Sequence, residues 1–268
     1  MTSKTATPAH EQPGYRFAPW KTTVDAARQA RYHAAAWIDS ARFGDRADIS
    51  VLANDLLKGA RSPDNLGNPR LHYGVRVRQN RPLALGTPLE VRATVSAVEH
   101  VNRGRLIRIG FSFAAPDGAV PVEMEHRSLI LDPAPEGTGP AGAVDRDWQG
   151  AEPLRQVQMT LASVSGYSAE FPYLEGHHSY QGAARVGMRA PIAQGLHGFT
   201  LLMAEIAGDL GGAPSACDIE AEFRRPIFCD DAVQLVGRRG GDSRLADLAV
   251  LNPAGKPTTQ VRIHKADP

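Results

Sequence analysis

Hydrophobic and polar positions change rhythm along this chain. From Val24 to Ala41 the text is rich in Ala and free of Gly and Pro, with Ala27, Ala30, Ala34 and Ile38 at helical spacing; this predicts a helix. A second, short helix is expected from Ile49 to Lys58, with Gly59 as its stop. The period then falls to two. Leu71, Tyr73, Val75 and Val77 alternate with polar or small residues, as do Leu89, Val91, Ala93 and Val95. Ile107, Ile109, Phe111 and Phe113 follow, then Val122, Met124 and His126. Four such segments predict an antiparallel sheet with one covered face, and Pro116-Asp117-Gly118 marks a hairpin between the last two.

Residues 133–152 are rich in Pro, Gly and Ala and lack periodicity, so they read as a linker between a first unit, 15–132, and a second, 153–268. The plan then recurs. A strand is expected from Val157 to Val164, then an irregular stretch over 165–191 and an apolar helix from about Ala193 to Leu210, ended by Gly211-Gly212. Strands resume with Ile219, Ala221 and Phe223, then Val233 and Leu235, then Leu248 to Leu251 with a turn at Asn252-Pro-Ala-Gly255, and end with Val261 and Ile263. RPLALGTPLEV (81–91) can be laid on RPIFCDDAVQL (225–235), and FSFAAPDG (111–118) on LAVLNPAG (248–255), which suggests a duplication. One helix wrapped by an antiparallel sheet, twice over, predicts an α+β double hot-dog, with the edge strands of the two copies joined.

The composition is that of an ordinary soluble domain, with 42% hydrophobic and 22% charged residues. Thirty basic residues against 29 acidic ones leave a formal charge of +1, too little to make nucleic acid the main partner. A local basic rim for a phosphorylated group is still available at Arg224–Arg225 or Arg238–Arg239. Cys217 and Cys229 are too sparse for a disulfide framework or a zinc site and read as buried free thiols. The polar, Pro-bearing N-terminus reads as a loose tail without an apolar leader, and no run of 18 apolar residues exists, so a cytoplasmic protein without a membrane helix is expected.

The stretch that carries chemistry runs from Tyr167 to Gly198, YSAEFPYLEGHHSYQGAARVGMRAPIAQGLHG. It resembles the motif of the MaoC-like, (R)-specific enoyl-CoA hydratases. There an Asp precedes a His by five residues in a Gly-Asp-x-Asn-Pro-x-His run, and a Pro-Ile-x-His-Gly run opens the central helix. Anchoring on Pro191-Ile-Ala-Gln-Gly195 places the family His on His177 and the helix-opening glycine on Gly195, without a gap. Tyr167 matches the aromatic that often begins the run. The resemblance implies reversible hydration of a trans-2-enoyl thioester to a 3-hydroxyacyl thioester, on coenzyme A or acyl carrier protein. His177 would activate or protonate, and the Gly195 N–H at a helix N-terminus would hold the thioester oxygen. Tyr167, Pro191 and Gln194 are the expected substrate-binding residues. No metal and no cofactor beyond the coenzyme A or pantetheine moiety of the substrate is expected, and the assembly is expected to be a monomer or a homodimer.

The sequence departs from the family where the Asp should stand. That position is Pro172, the Asn-Pro pair is Leu174-Glu175, and Gln194 replaces the commoner His. Glu170 and Glu175 are therefore candidate substitute carboxylates. Three alternatives stay open: a hydratase working with His177 or a nearby Glu, a hot-dog thioesterase driven by such a Glu, and a non-catalytic acyl-thioester-binding subunit. His178 is expected to be structural, and His197 to face pocket or solvent. LGNPRLH (66–72) reads as a turn into a strand, and His33 and Asp39 as surface groups. The first repeat is expected to be non-catalytic and to shape an acyl tunnel.

Overall fold

The computed structural model describes residues 8–59, 70–132, 137 and 145–268. The expected tail in part, residues 66–69 of the LGNPRLH turn and most of the 133–144 stretch of the expected linker lie outside the described residues.

The first repeat contains β1 (Trp20–Thr22), α1 (Ala26–Ala35), α2 (Ile49–Leu52) and α3 (Asp55–Gly59), then β2 (Arg70–Gln79), β3 (Leu89–Val101), β4 (Gly104–Ala114) and β5 (Val122–Leu131). The second begins with β6 (Glu152–Gln158), α4 (Leu161–Tyr167), α5 (Tyr180–Arg185), β7 (Ile192–Ala193) and α6 (Gly195–Leu210). It ends with β8 (Ala216–Phe223), β9 (Ile227–Phe228), β10 (Ala232–Arg239), β11 (Leu245–Leu251) and β12 (Pro257–Asp267). Ten strands form one antiparallel sheet in the order β1-β3-β4-β5-β2-β8-β12-β11-β10-β6. The two halves of that order mirror each other: β3-β4-β5-β2 in one repeat answers β10-β11-β12-β8 in the other. The aligned texts around Leu89 and Val233 fall on β3 and β10.

The halves join where β2 pairs with β8, from Gly74 opposite Glu222 to Gln79 opposite Cys217. Gly74 makes that approach possible, because a Cβ there would lie 2.6 Å from the Ala221 carbonyl oxygen. A bulge in the pairing of β2 with β5 falls between His72 and Gly74 and reverses the side-chain parity of the strand start. Leu71, expected on the covered face, is exposed, and Tyr73 packs in a separate cluster with Leu106 and Leu129. His72 turns inward instead.

Helix α6 is apolar almost all round, as a central helix must be. Leu196, Phe199, Leu201, Leu202 and Met203 are fully buried, each contributing roughly 1.5–3 kcal/mol of transfer free energy. It ends on Gly211 at φ 77°, a left-handed stop that glycine supplies without strain. In the first repeat, α2 and α3 lead into β2 as α6 leads into β8, with Ile49, Leu52 and Leu56 buried.

Three local expectations differ from the structure. The first helix is shorter than Val24–Ala41: Asp25 caps it by accepting from the Arg28 N–H, and Trp37 at φ 52° breaks it. The expected strand Val157–Val164 ends at Gln158, and α4 follows, because Thr160 and Ser163 form a reciprocal capping box. His33 is not a surface group but fully buried, with Nδ1 2.9 Å from Ser40 Oγ and Nε2 3.0 Å from Asp48 Oδ2. Asp39 is exposed, as expected. Both cysteines are buried free thiols. Among the described residues no helix is long and apolar enough to cross a membrane.

Candidate active site

A cavity of about 480 Å³ lies between the repeats at the N-terminus of α6. His177, Gln194 and Gly195 line it from the second repeat, and His72, His126 and Ser128 from the first. Arg70, Arg224 and Arg225 also line it. The Arg224 Nε and Arg225 Nη2 are held by the two oxygens of Asp145, at 3.1 and 2.5 Å, so that carboxylate offsets part of the basic rim. Arg238 and Arg239 lie elsewhere: Arg239 pairs with Glu152 and Asp209.

His177 closes a one-turn 3-10 helix, Glu175–His177, held by its own N–H bonding to the Leu174 carbonyl. Its Nδ1 lies 2.5 Å from the Ile192 carbonyl oxygen on β7. A carbonyl only accepts, so Nδ1 carries the proton and Nε2 keeps its lone pair in the neutral ring. Burial holds the imidazole pKa below its ordinary value, against the raising effect of the Ile192 bond, and neighbouring His178 lowers it further. A neutral base is thereby fixed in one tautomer at the cavity wall.

Helix α6 meets the cavity with its N-terminus uncapped: Gln194 is the N-cap residue, yet its side chain makes no capping bond. Both polar atoms of that buried side chain lack a protein partner among the described residues. The first N–H groups of a helix have no intrahelical acceptor, so this end offers free donors with the helix dipole behind them. The reason for glycine at 195 is packing: a Cβ there would lie 2.5 Å from Cγ of Phe223, whose ring covers that side of the backbone.

No protein-family model and no curated protein matches the chain. Solved structures do. A MaoC-like dehydratase from Phytophthora capsici superposes with a TM-score of 0.73 at 16% identity, over 96% of this chain and 97% of that one. A conserved hypothetical protein of Mycobacterium tuberculosis, described as a double hot-dog, gives 0.62 at 14% identity, over 94% and 95%. The fold is the double hot-dog of the MaoC-like dehydratases. The double hot-dog is not confined to one chemistry, since an acyl-ACP thioesterase from Bacteroides thetaiotaomicron matches at 0.57 with 9% identity, over 92% and 96%.

The double hot-dog scatters the other candidates. Tyr167 is fully buried behind the cavity wall: its hydroxyl lies 2.8 Å from Thr200 Oγ1 and accepts from Asn54 Nδ2 at 3.2 Å, and its ring stacks on His197 at 4.3 Å. His197 thus faces neither the cavity nor solvent. Pro191 is buried, its carbonyl accepting from the Cys229 N–H at 2.8 Å. Pro172 is exposed. His178 bonds Ser165 and the Phe171 carbonyl, as a structural group would.

The two substitute carboxylates are both engaged away from the cavity. Glu170 accepts from Arg28 at 2.8 and 3.0 Å and pairs with Arg31 and Lys58. Burial pushes its pKa up, but Arg28 and Lys58 outweigh this and hold it below its ordinary value. Glu175 is exposed and pairs with Arg185. Among the described residues lining the cavity there is no Asp or Glu.

His72, His126 and Ser128 were not singled out by the sequence pattern. His126 stands on the covered face of its strand, an inward polar residue in an apolar alternation, and that signal alone was available. His72 was hidden by the bulge.

Proposed function

We propose that the chain is an acyl-thioester hydratase/dehydratase, interconverting a trans-2-enoyl thioester and a 3-hydroxyacyl thioester. The observation that carries this is the pairing, in one cavity, of a tautomer-fixed neutral His177 with the uncapped N-terminus of α6. In the hydration direction His177 Nε2 takes a proton from water as the water oxygen bonds to C3. Charge moves onto the thioester oxygen, where the α6 N–H groups stabilise it. The imidazolium then returns the proton to C2, so one residue serves as base and then acid. This route needs no carboxylate, in keeping with a lining that offers none among the described residues. In the reverse direction the same groups expel water.

The thioester would belong to coenzyme A or an acyl carrier protein, with Arg224 and Arg225 at the rim for its phosphates. The reaction as written uses no metal or redox cofactor. The cytoplasm is the proposed location, and a monomer or homodimer of the fused pair the proposed assembly. Among the described residues no carboxylate lines the cavity, and both candidate glutamates are engaged elsewhere, which weighs against a Glu-driven thioesterase and leaves a binding subunit as the second reading.

The test is the absorbance of the enoyl-thioester band of crotonyl-CoA and longer 2-enoyl-CoAs, with His177→Ala beside the parent. Loss of the band with the parent alone is expected. Binding without any loss of the band would select the second reading, and equal activity in His177→Ala would remove His177 from the mechanism.

A further inference from the structure

His126 and Ser128 stand two apart on β5, and both are buried, at 1% and 0% exposure. Neither ring nitrogen of His126 has a hydrogen-bond partner among the described residues, and neither has Ser128 Oγ. The His72 ring lies 4.4 Å from the His126 ring, and its Nε2 is likewise unpartnered. Gln194, buried at the mouth of α6, adds an unpartnered amide. All four line the cavity that His177 enters. A buried polar atom left without a partner costs about 1–3 kcal/mol, so a cluster of them in a cavity wall is a recognition surface awaiting its complement.

The chemistry of that complement follows from the groups. Burial drives the pKa of His72 down to about 3 and that of His126 well below its ordinary value, so both rings are neutral at working pH. His72 presents its unpartnered Nε2, which accepts or donates according to the tautomer of the neutral ring. His126 offers one donor and one acceptor, Ser128 both, and Gln194 both. A neutral group that donates and accepts at once satisfies such a set; a hydroxyl does this, whereas a methylene does neither.

Phe223 borders both the reacting end and the cluster: a Cβ at Gly195 would meet its ring at 2.5 Å, and that ring lies 4.6 Å from the ring of His72. An acyl chain whose thioester is held at α6 shares one cavity with the histidines and with Phe223. We infer that the first-repeat cluster His72–His126–Ser128 is a polar acyl subsite, and that the substrate is an acyl thioester carrying a hydroxyl along its chain rather than a plain alkyl chain. This rests on the thioester reading of the cavity.

The test is calorimetric titration of the full chain with butyryl-, hexanoyl- and octanoyl-CoA and with their terminally hydroxylated counterparts. These saturated ligands report binding without turnover. At the matching length the hydroxylated ligand is expected to bind about tenfold or more tightly than the alkyl one, because a site built for a hydroxyl leaves its polar groups unpaired against the analogue lacking it. His126→Phe and the milder Ser128→Ala are each expected to reduce that ratio, Ser128→Ala serving if the larger change impairs folding. Alkyl chains binding as tightly as hydroxylated ones at every length would overturn the subsite while leaving the thioester reading in place. So would a preference that survives both variants. Failure of every acyl-CoA and of the matching acyl carrier protein thioesters to bind would overturn the thioester reading and the subsite with it.

Discussion

Gly195→Ala isolates a close contact at the candidate site. The added Cβ would lie 2.5 Å from Cγ and 2.7 Å from Cδ1 and Cδ2 of Phe223, far inside contact distance. The Phe223 ring is held by the hydrophobic core it packs against and by the His72 ring at 4.6 Å, so its retreat is resisted. Alanine is well tolerated in a first helical turn, so helix propensity adds little penalty. The cost is therefore overpacking, about 1–3 kcal/mol. Phe223→Ala removes Cγ, Cδ1 and Cδ2, the three atoms the new Cβ would meet. In that background the same Gly195→Ala change should cost under about 0.5 kcal/mol, giving a coupling of about 0.5–3 kcal/mol between the two positions. Urea unfolding of the four proteins, followed by circular dichroism, measures each term. A Gly195→Ala variant as stable as the parent, or a strictly additive cycle, would refute the packing explanation of this glycine.

Other predictions follow from charges. His72, His126, His177 and His197 all have pKa values held down by burial, to about 3 for His72 and His197. Unfolded histidines titrate near pH 6.5, so the stability they confer is full above that pH and is lost as pH falls below it, by at most about 1.4 kcal/mol per pH unit for each. Urea midpoints should fall between pH 7 and pH 5, and a flat profile would contradict the buried neutral state. Because His177 acts as the neutral base, kcat/KM should hold its plateau below pH 6.5 and drop only as pH passes the lowered pKa; a drop starting above pH 7 would contradict this. Glu170→Gln should lower stability by about 1.5–3 kcal/mol by weakening the bonds to Arg28, with turnover preserved in the folded fraction. A collapse of kcat with stability intact would instead make Glu170 a catalytic acid. Glu175→Gln, which breaks only an exposed pair with Arg185, should change stability by less than about 1 kcal/mol.

Periodicity was enough for the architecture, because β3 and β4 alternate over most of their length and α6 runs unbroken to its glycine stop. It failed where a local device changed the rule. The capping box at Thr160 and Ser163 starts a helix inside what alternation reads as strand. The bulge at His72–Gly74 exchanges the faces of β2, exposing Leu71 and bringing His72 inward. His177 and Gln194 could be placed from local motif spacing, since both sit close to α6 in the chain. The fate of Glu170 could not, because Arg28, Arg31 and Lys58 reach it from the first repeat, across more than a hundred residues of sequence. His126 and Ser128 likewise enter the cavity only because β5 and β2 pair. Non-local pairing, rather than local propensity, decides which polar groups share this cavity.

The central claim is that a thioester carbonyl sits against the N-terminus of α6. The most direct measurement is the infrared stretch of butyryl-CoA, carbon-13 labelled at the thioester carbon, bound to the full chain. A saturated thioester cannot be hydrated, so the band reports position alone. Donation from the α6 N–H groups should move it to lower wavenumber than in water; a band at or above its position in water would contradict the account.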